Sequence, residues 1–387
     1  MEFDDARAEI GAMLDAIDRG VMPPFAAVDA SDCTPRHPWR DDPRVTVREH
    51  ALLRTWLDGG LHEGVMSPLP EPPSTELASD VTLAPLQPFT SSGDRDQFVC
   101  YLFDPKLDRD RWLTGVQVSP GLATIVHHAT VTVIAPEDVS ATVAAFGRIG
   151  VPLANCDSPP GTQIHTWLPG NPPLELPTGV ATPLRAGSLI AEQLHYHPAG
   201  VGGTDATAIA LRLGDTTPTW SYQFTSDGNA TASPNLLPDP DDPPGGPVFV
   251  VPANKASHAE TMIAPTGDPG GEIRVLSFTP HMHFLGTHLR ATVSHAAGDL
   301  ECIGNSGWNF DWQRTYTYGG DLSELPLLDP NSVVTISCEY DNTFSNPQLP
   351  RLLHDANLVA PYDVAFGLTT INEMCLANLG LIRPYKP

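Results

Sequence analysis

Lysine is scarce in this chain: Lys106, Lys255 and Lys386 are the only ones in 387 residues. With arginine included there are 21 bases against 46 acids, a formal charge of −25. Such a surface repels phosphate backbones, so a nucleic-acid partner is excluded. Long apolar runs are missing too. No stretch approaches the ~18–20 residues of a membrane helix, which rules out a span of that kind. The six cysteines (33, 100, 156, 302, 338, 375) contain no C-x-x-C, so they do not form a zinc site; disulfides stay open, with no connectivity set by spacing. The opening Met1-Glu-Phe-Asp-Asp-Ala6 has neither the basic nor the apolar region of a secretory leader. The expectation is either a cytoplasmic protein or an exported one whose leader lies upstream of this chain.

What is abundant is proline and glycine, 41 and 32 residues. That density disfavours long helices and suits short strands joined by turns. Length and a 41% hydrophobic content are enough for two or three cores. Residues 1–65 read as helical: Ile10, Met13, Leu14 and Ile17 are spaced for a helix over Ala6–Ile17, and Thr46-Val-Arg-Glu49 is a capping box opening a second. Residues 66–80 read as a linker. From 81 onward short β-branched or aromatic runs recur: Gln97–Phe103, Thr124–Ile134, Leu189–His197, Ala208–Leu213, Trp220–Phe224, Val248–Val251, Glu272–Phe278, Leu289–Ser294 and Val333–Tyr340. The acidic, Pro-rich stretch over 233–247 reads as a second linker. The expected fold is mainly β: two tandem antiparallel, jelly-roll-like β-sandwich domains over 81–232 and 248–387, preceded by the short helical segment.

Histidine is the residue to follow, because imidazole is the commonest metal ligand. His281 and His283 are two apart, so on a strand they share a face. Pro280 confines that strand to an edge or a strand start. His127 and His128 are neighbours, which on a regular strand point apart; a shared ion there requires a twist or bulge. The alternative for both pairs is strand-edge histidines facing solvent or a polar cleft. His195 and His197 form a second His-x-His.

These segments, in this order, resemble the copper type II, ascorbate-dependent monooxygenases, the family of peptidylglycine α-hydroxylating and dopamine β-monooxygenases. Gln97-Phe-Val-Cys-Tyr101 is similar to the family's Cys-bearing strand, Thr124-Ile-Val-His-His128 to its VHH motif, and Gln193-Leu-His-Tyr196 to its Q-x-H-Y. Pro280-His-Met-His-Phe-Leu-Gly286 resembles H-T-H-x-x-G, and Asn372-Glu-Met-Cys375 the D/E-E-M-C element. Asn309–Gln313 and Cys338–Asn342 also resemble segments of bacterial members. The likeness covers roughly residues 81–387.

The resemblance implies two copper ions per chain. One would be held by His127, His128 and His195, the other by His281, His283 and Met374, these last three being the catalytic set. Three imidazoles suit an ion cycling between oxidation states, and a thioether favours Cu(I). It also implies a Cys338–Cys375 bridge beside Met374 and a Cys100–Cys156 bridge in the first sandwich. Cys33 and Cys302 stay undecided. His197 is expected either to hydrogen-bond behind the ligands or, as the preferred reading, to be exposed, and His165, His258, His288, His295 and His354 to be surface or structural. The sequence departs from the peptide-amidating branch at Thr279 and Asn378, where that branch carries Arg and Tyr to clamp a substrate carboxylate, and has Ala129 where Met is usual.

Residues 22–60 are similar to the end of a cytochrome c-like segment but lack C-x-x-C-H, which implies a remnant without covalent haem. The expected activity is hydroxylation of a C–H bond in a small organic substrate, using dioxygen and ascorbate or another one-electron reductant. The alternative is a copper-binding or electron-transfer protein without turnover. The expected setting is periplasmic or extracellular, with a possible upstream redox partner.

Overall fold

The computed structural model describes residues 3–28, 30–65, 76–198, 200–265 and 271–386. Of the linker expected over 66–80, residues 66–75 lie outside them. Among the described residues there are four helices and 23 strands, so the chain is mainly β. The N-terminal helices span Phe3–Asp18 and Val47–Asp58. The second starts at the expected capping box, in which Thr46 and Glu49 satisfy each other's backbone N–H.

Among the described residues there are two large apolar cores and a small third cluster around Leu102, Ile134, Leu189 and Ala191, and one ten-stranded sheet runs past the two large ones. Eight of its strands follow the order Val81–Leu83, Ala208–Gly214, Arg111–Ser119, Val180–Leu184, Trp220–Gly228, Leu376–Pro384, Ile273–His281, Tyr316–Thr317; Leu174–Glu175 pairs with Arg111–Ser119 and Leu327–Leu328 with Ile273–His281. Ala208–Gly214 alternates buried and half-buried residues, which is how one face of a sheet covers a core. A five-stranded sheet containing Gln97–Phe103, Leu189–Tyr196, Val126–Ile134 and Thr162–Trp167 supplies the other wall of the first core. A four-stranded sheet (His258–Pro265, Val333–Tyr340, Gly286–Ser294, Leu300–Gly307) does so for the second.

The halves are therefore joined more closely than two sandwiches on a linker. Trp220–Gly228, read from sequence as part of the first half, pairs along nine residues with Leu376–Pro384 and only briefly, in parallel, with Val180–Leu184. The stretch over 233–247 is not a loose tether either. Leu236 is buried and bridges Met262, and Asp241 meets Lys255 and His258. The N-terminal segment also contributes to the second core: Phe25, Ala27 and Trp39 are buried in it, and Trp39 stacks on Tyr318 at 4.4 Å.

All six cysteines are bridged: Cys33–Cys302, Cys100–Cys156 and Cys338–Cys375. The first ties the N-terminal segment to the second half, a pairing the spacing left open. Leu189–Tyr196 is buried at every residue. Ile190, Leu194 and Tyr196 enter the first core, and Ala191 packs on the helix Val139–Phe146. The remaining face, with Gln193 and His195, looks toward the second half. That interface is where the histidines gather.

Candidate metal centre

The strand pairing makes the first cluster. Val126–Ile134 runs antiparallel to Leu189–Tyr196, with His128 opposite His195, but Tyr196 is opposite Val126. His127 is thus the extra residue of a β-bulge, the irregularity that two adjacent histidines need if they are to face one point. Nδ1 of His127 lies 3.2 Å from Nδ1 of His128, and Nδ1 of His195 lies 3.4 Å from that same atom. Three imidazole nitrogens converge, each ring from a buried or half-buried position.

The tautomers suit a cation. His195 donates Nε2–H to Asp96 Oδ1 at 2.8 Å, leaving Nδ1 with its lone pair. Burial, reinforced by repulsion from neighbouring imidazoles, holds His127 and His128 well below the ordinary histidine range. Burial alone would raise the Asp96 carboxyl, but its contacts with His195 and His197 outweigh this and keep it far below the usual carboxylate range. His127 and His128 are thereby held as neutral donors, and a carboxylate orients His195 beside them. That set fits a borderline ion bound by nitrogen.

The second group lies at the end of Ile273–His281. Pro280 is the penultimate residue of this strand; its neighbour on one side, Tyr316–Thr317, reaches only Ser277 and Phe278, so the strand is locally an edge there. His281 ends the strand and His283 lies just past it, their rings 5.4 Å apart. His281 donates Nδ1–H to Gln313 Oε1 at 3.0 Å, and His283 donates Nδ1–H to the Asn372 carbonyl at 3.1 Å. Both Nε2 atoms are left as donors to a metal. Burial lowers His281 to about 4 and His283 to about 3. His281, His283 and Met374 line one cavity of about 530 Å3, which His128 also lines.

Glu373 sets the position of Met374. Its carboxyl accepts the backbone N–H of Leu285 at 2.7 Å, of His283 at 3.0 Å and of Met374 at 3.2 Å. Burial pushes Glu373 up to about 8 against the pull of those three bonds. Tyr340 donates its hydroxyl to the Met374 carbonyl, and Cys375 is bridged to Cys338. The backbone of Met374 is thus fixed at both its N–H and its carbonyl.

The two groups are adjacent: the rings of His128 and His281 are 6.0 Å apart. Gln313 spans them. Besides accepting from His281, it donates Nε2–H to the Phe310 carbonyl at 3.1 Å and to His127 Nε2 at 3.3 Å. A metal on His127 Nδ1 would send the ring proton to Nε2, so this last bond must open when the site fills. Phe98 stacks on His195 at 4.4 Å and Phe310 on His127 at 4.8 Å.

Sequence reasoning did not single out Asp96, Gln313 or Arg351. Asp96 directly precedes Gln97–Tyr101, and Gln313 ends the quoted Asn309–Gln313, so position beside a motif was the available signal. His197 is not exposed as expected. It is buried, with Nδ1 3.6 Å from Asp96 and Nε2 accepting from Arg351 at 2.9 Å. Of the histidines outside the motifs, His165 and His258 are buried and His354 is exposed. His295 lies between Asp329 and Glu301.

The cavity wall carries no lysine or arginine, and Asp157 is its sole acid among the described residues. Asn378 is part of that wall, donating Nδ2–H to the Thr279 carbonyl and accepting from Ser226. A larger groove of about 820 Å3, beside Arg185, Tyr222 and Arg383, touches none of these ligands.

No protein-family model matches the chain, and no curated protein matches it. Among solved structures, the major capsid protein P2 from bacteriophage PM2 has a TM-score of 0.33 and 8% identity, over 79% of this chain and 97% of that one. The infectious bursal disease virus Gt strain structure has a TM-score of 0.19 and 9% identity, over 78% of this chain and 70% of that one. Neither score is high enough to bear on the fold or the function.

Proposed function

We propose that this chain is a copper-dependent monooxygenase of two fused sandwich units that hydroxylates a C–H bond of a small, uncharged organic substrate. One observation carries the reading: two donor sets of different softness, three imidazoles and two imidazoles with a thioether, lie side by side, and members of both line one cavity. Copper fits both sets, and when bound it supplies the one-electron and dioxygen chemistry that side chains lack. One atom of dioxygen enters the C–H bond; the other leaves as water with two electrons and two protons from ascorbate or another reductant.

The chain's own residues orient and exclude. Asp96 and Gln313 fix the tautomers of His195 and His281; Glu373 and the Cys338–Cys375 bridge hold Met374 beside them. The hydroxyl and amide groups of Thr130, Gln163, Gln193 and Asn378 offer hydrogen bonds to substrate, while Leu168 and Leu376 offer apolar surface. With no base on that wall, a carboxylate finds no bidentate partner, so an anionic peptide terminus is disfavoured. Three disulfides support an oxidising, extracytoplasmic setting.

Copper loading followed by metal analysis should give about two equivalents per chain, and ascorbate-dependent oxygen uptake should yield product labelled from dioxygen. Zinc retained at both sites with no Cu(II) spin signal would overturn the reading. Two coppers with no labelled product across a broad substrate screen would leave an electron-transfer protein.

A further inference from the structure

A second, smaller opening reaches the three-imidazole centre. It encloses about 190 Å3, its wall includes His127, His197, Phe310, Asp311, Gln313 and Arg351, and it shares no wall residue with the 530 Å3 cavity. We propose that this pocket docks the electron donor, a small planar anion of the enediol type such as ascorbate, and that Arg351 recognises its charge. The proposal rests on the copper reading above.

Size comes first. Drug-sized ligands occupy roughly 300–1,000 Å3, so this pocket suits a small metabolite. Charge comes second. A chain carrying −25 repels an approaching anion unless a local cation receives it, and Arg351 is the sole lysine or arginine on this wall among the described residues. Its guanidinium has five N–H groups. One on Nη1 goes to Asp311 at 2.8 Å and one on Nη2 to His197 at 2.9 Å, which leaves three for a ligand. The aromatic rings of Phe284 and Phe310 sit under it at 5.1 and 5.3 Å, so its fork is held in place.

Contact comes third. His127 lines this pocket and also offers Nδ1 to the metal cluster, so a donor seated here is one imidazole away from the ion. Each visit would deliver one electron to bound Cu(II) and release one proton, as the enediol monoanion becomes its radical anion. Substrate and donor then enter by separate openings and do not compete. Asp311 opposes anion binding, and its removal tests the charge argument in the other direction.

The test is anaerobic calorimetric titration of ascorbate into the metal-free full chain, paired with steady-state kinetics of the copper-loaded protein. Arg351→Gln should weaken ascorbate binding about tenfold or more, as loss of a charge-assisted bond predicts. Arg351→Lys should retain most of the affinity, and Asp311→Asn should tighten it. In the loaded protein Arg351→Gln should raise the KM for ascorbate alone, leaving the substrate KM unchanged, and turnover with an uncharged phenylenediamine donor should not move. Ascorbate binding unaffected by both Arg351→Gln and Asp311→Asn, or competition between ascorbate and substrate, would overturn the pocket. Failure to retain copper would instead sink the monooxygenase reading on which it rests.

Discussion

Asp96 Oδ1 accepts the Nε2–H of His195 at 2.8 Å, and this bond decides which ring nitrogen is free to hold a metal. The other oxygen, Oδ2, accepts the backbone N–H of Thr370 at 3.2 Å and its hydroxyl at 3.0 Å. Thr370 stands four residues before Met374. One carboxylate therefore orients a ligand of the first group and anchors the segment that carries the thioether of the second.

Asp96→Ala should free the His195 ring and weaken metal binding at the three-imidazole centre by roughly 10–100-fold, the usual effect of removing a carboxylate behind a ligating histidine. A chelator competition titration measures it, with a changed Cu(II) spin spectrum as a second readout. Unaltered affinity and spectrum would show that the bond merely fills space.

Met374→Ala should lower the copper content from about two equivalents to about one, abolish hydroxylation, and leave the His127/His128/His195 ion loaded and reducible. His281→Ala and His283→Ala should act alike. His195→Ala should do the converse: turnover falls while the second site stays occupied. Wild-type stoichiometry and product in Met374→Ala would reduce Asn372–Cys375 to a core segment.

The Cys338–Cys375 bridge closes a sequence separation of 37 residues next to Met374. Replacing both cysteines by serine should cost about 2–4 kcal/mol in unfolding free energy. It should also weaken Cu(I) binding at the second site, while the first keeps its metal. Non-reducing peptide mapping of the wild type should recover all three bridges; free thiols at 338 and 375 would remove the proposed anchor.

Acid should destabilise the metal-free protein over a defined window. Burial lowers His165 from 6.5 to about 4, so between those values the unfolded chain binds a proton that the folded chain refuses. The contribution is full above pH 6.5 and is lost as pH falls toward 4. His165 Nε2 is buried without a hydrogen-bond partner, so His165→Leu should fold. Denaturant titrations from pH 7 to about 4 should show a shallower acid limb in that variant, by up to about 1.4 kcal/mol per pH unit. An unchanged limb would mean the ring is solvated in solution.

Much of the β character was legible because strand propensity is local. Gln97–Phe103 and Val333–Tyr340 coincide with observed strands, and the capping box marks its helix. Leu376–Pro384 escaped notice because Ala377, Asn378 and Gly380 are poor strand formers; it exists because Trp220–Gly228 and Ile273–His281 pair with it on either side. The need for a bulge at His127/His128 could be argued from period two alone. Its location at His127 required the partner strand.

The sequence by itself determined the chemistry on offer: many short strands, a surface that repels anions, paired histidines, and a methionine beside a cysteine. These follow from residue type and spacing along the chain. Tertiary structure alone decided that three Nδ1 atoms meet and that Asp96 and Gln313 set the tautomers. It also buried His197 between Asp96 and Arg351, joined Cys33 to Cys302, and ran one sheet through both halves. Each of these depends on register and packing between segments far apart in the chain, and a side chain's direction in space is set there.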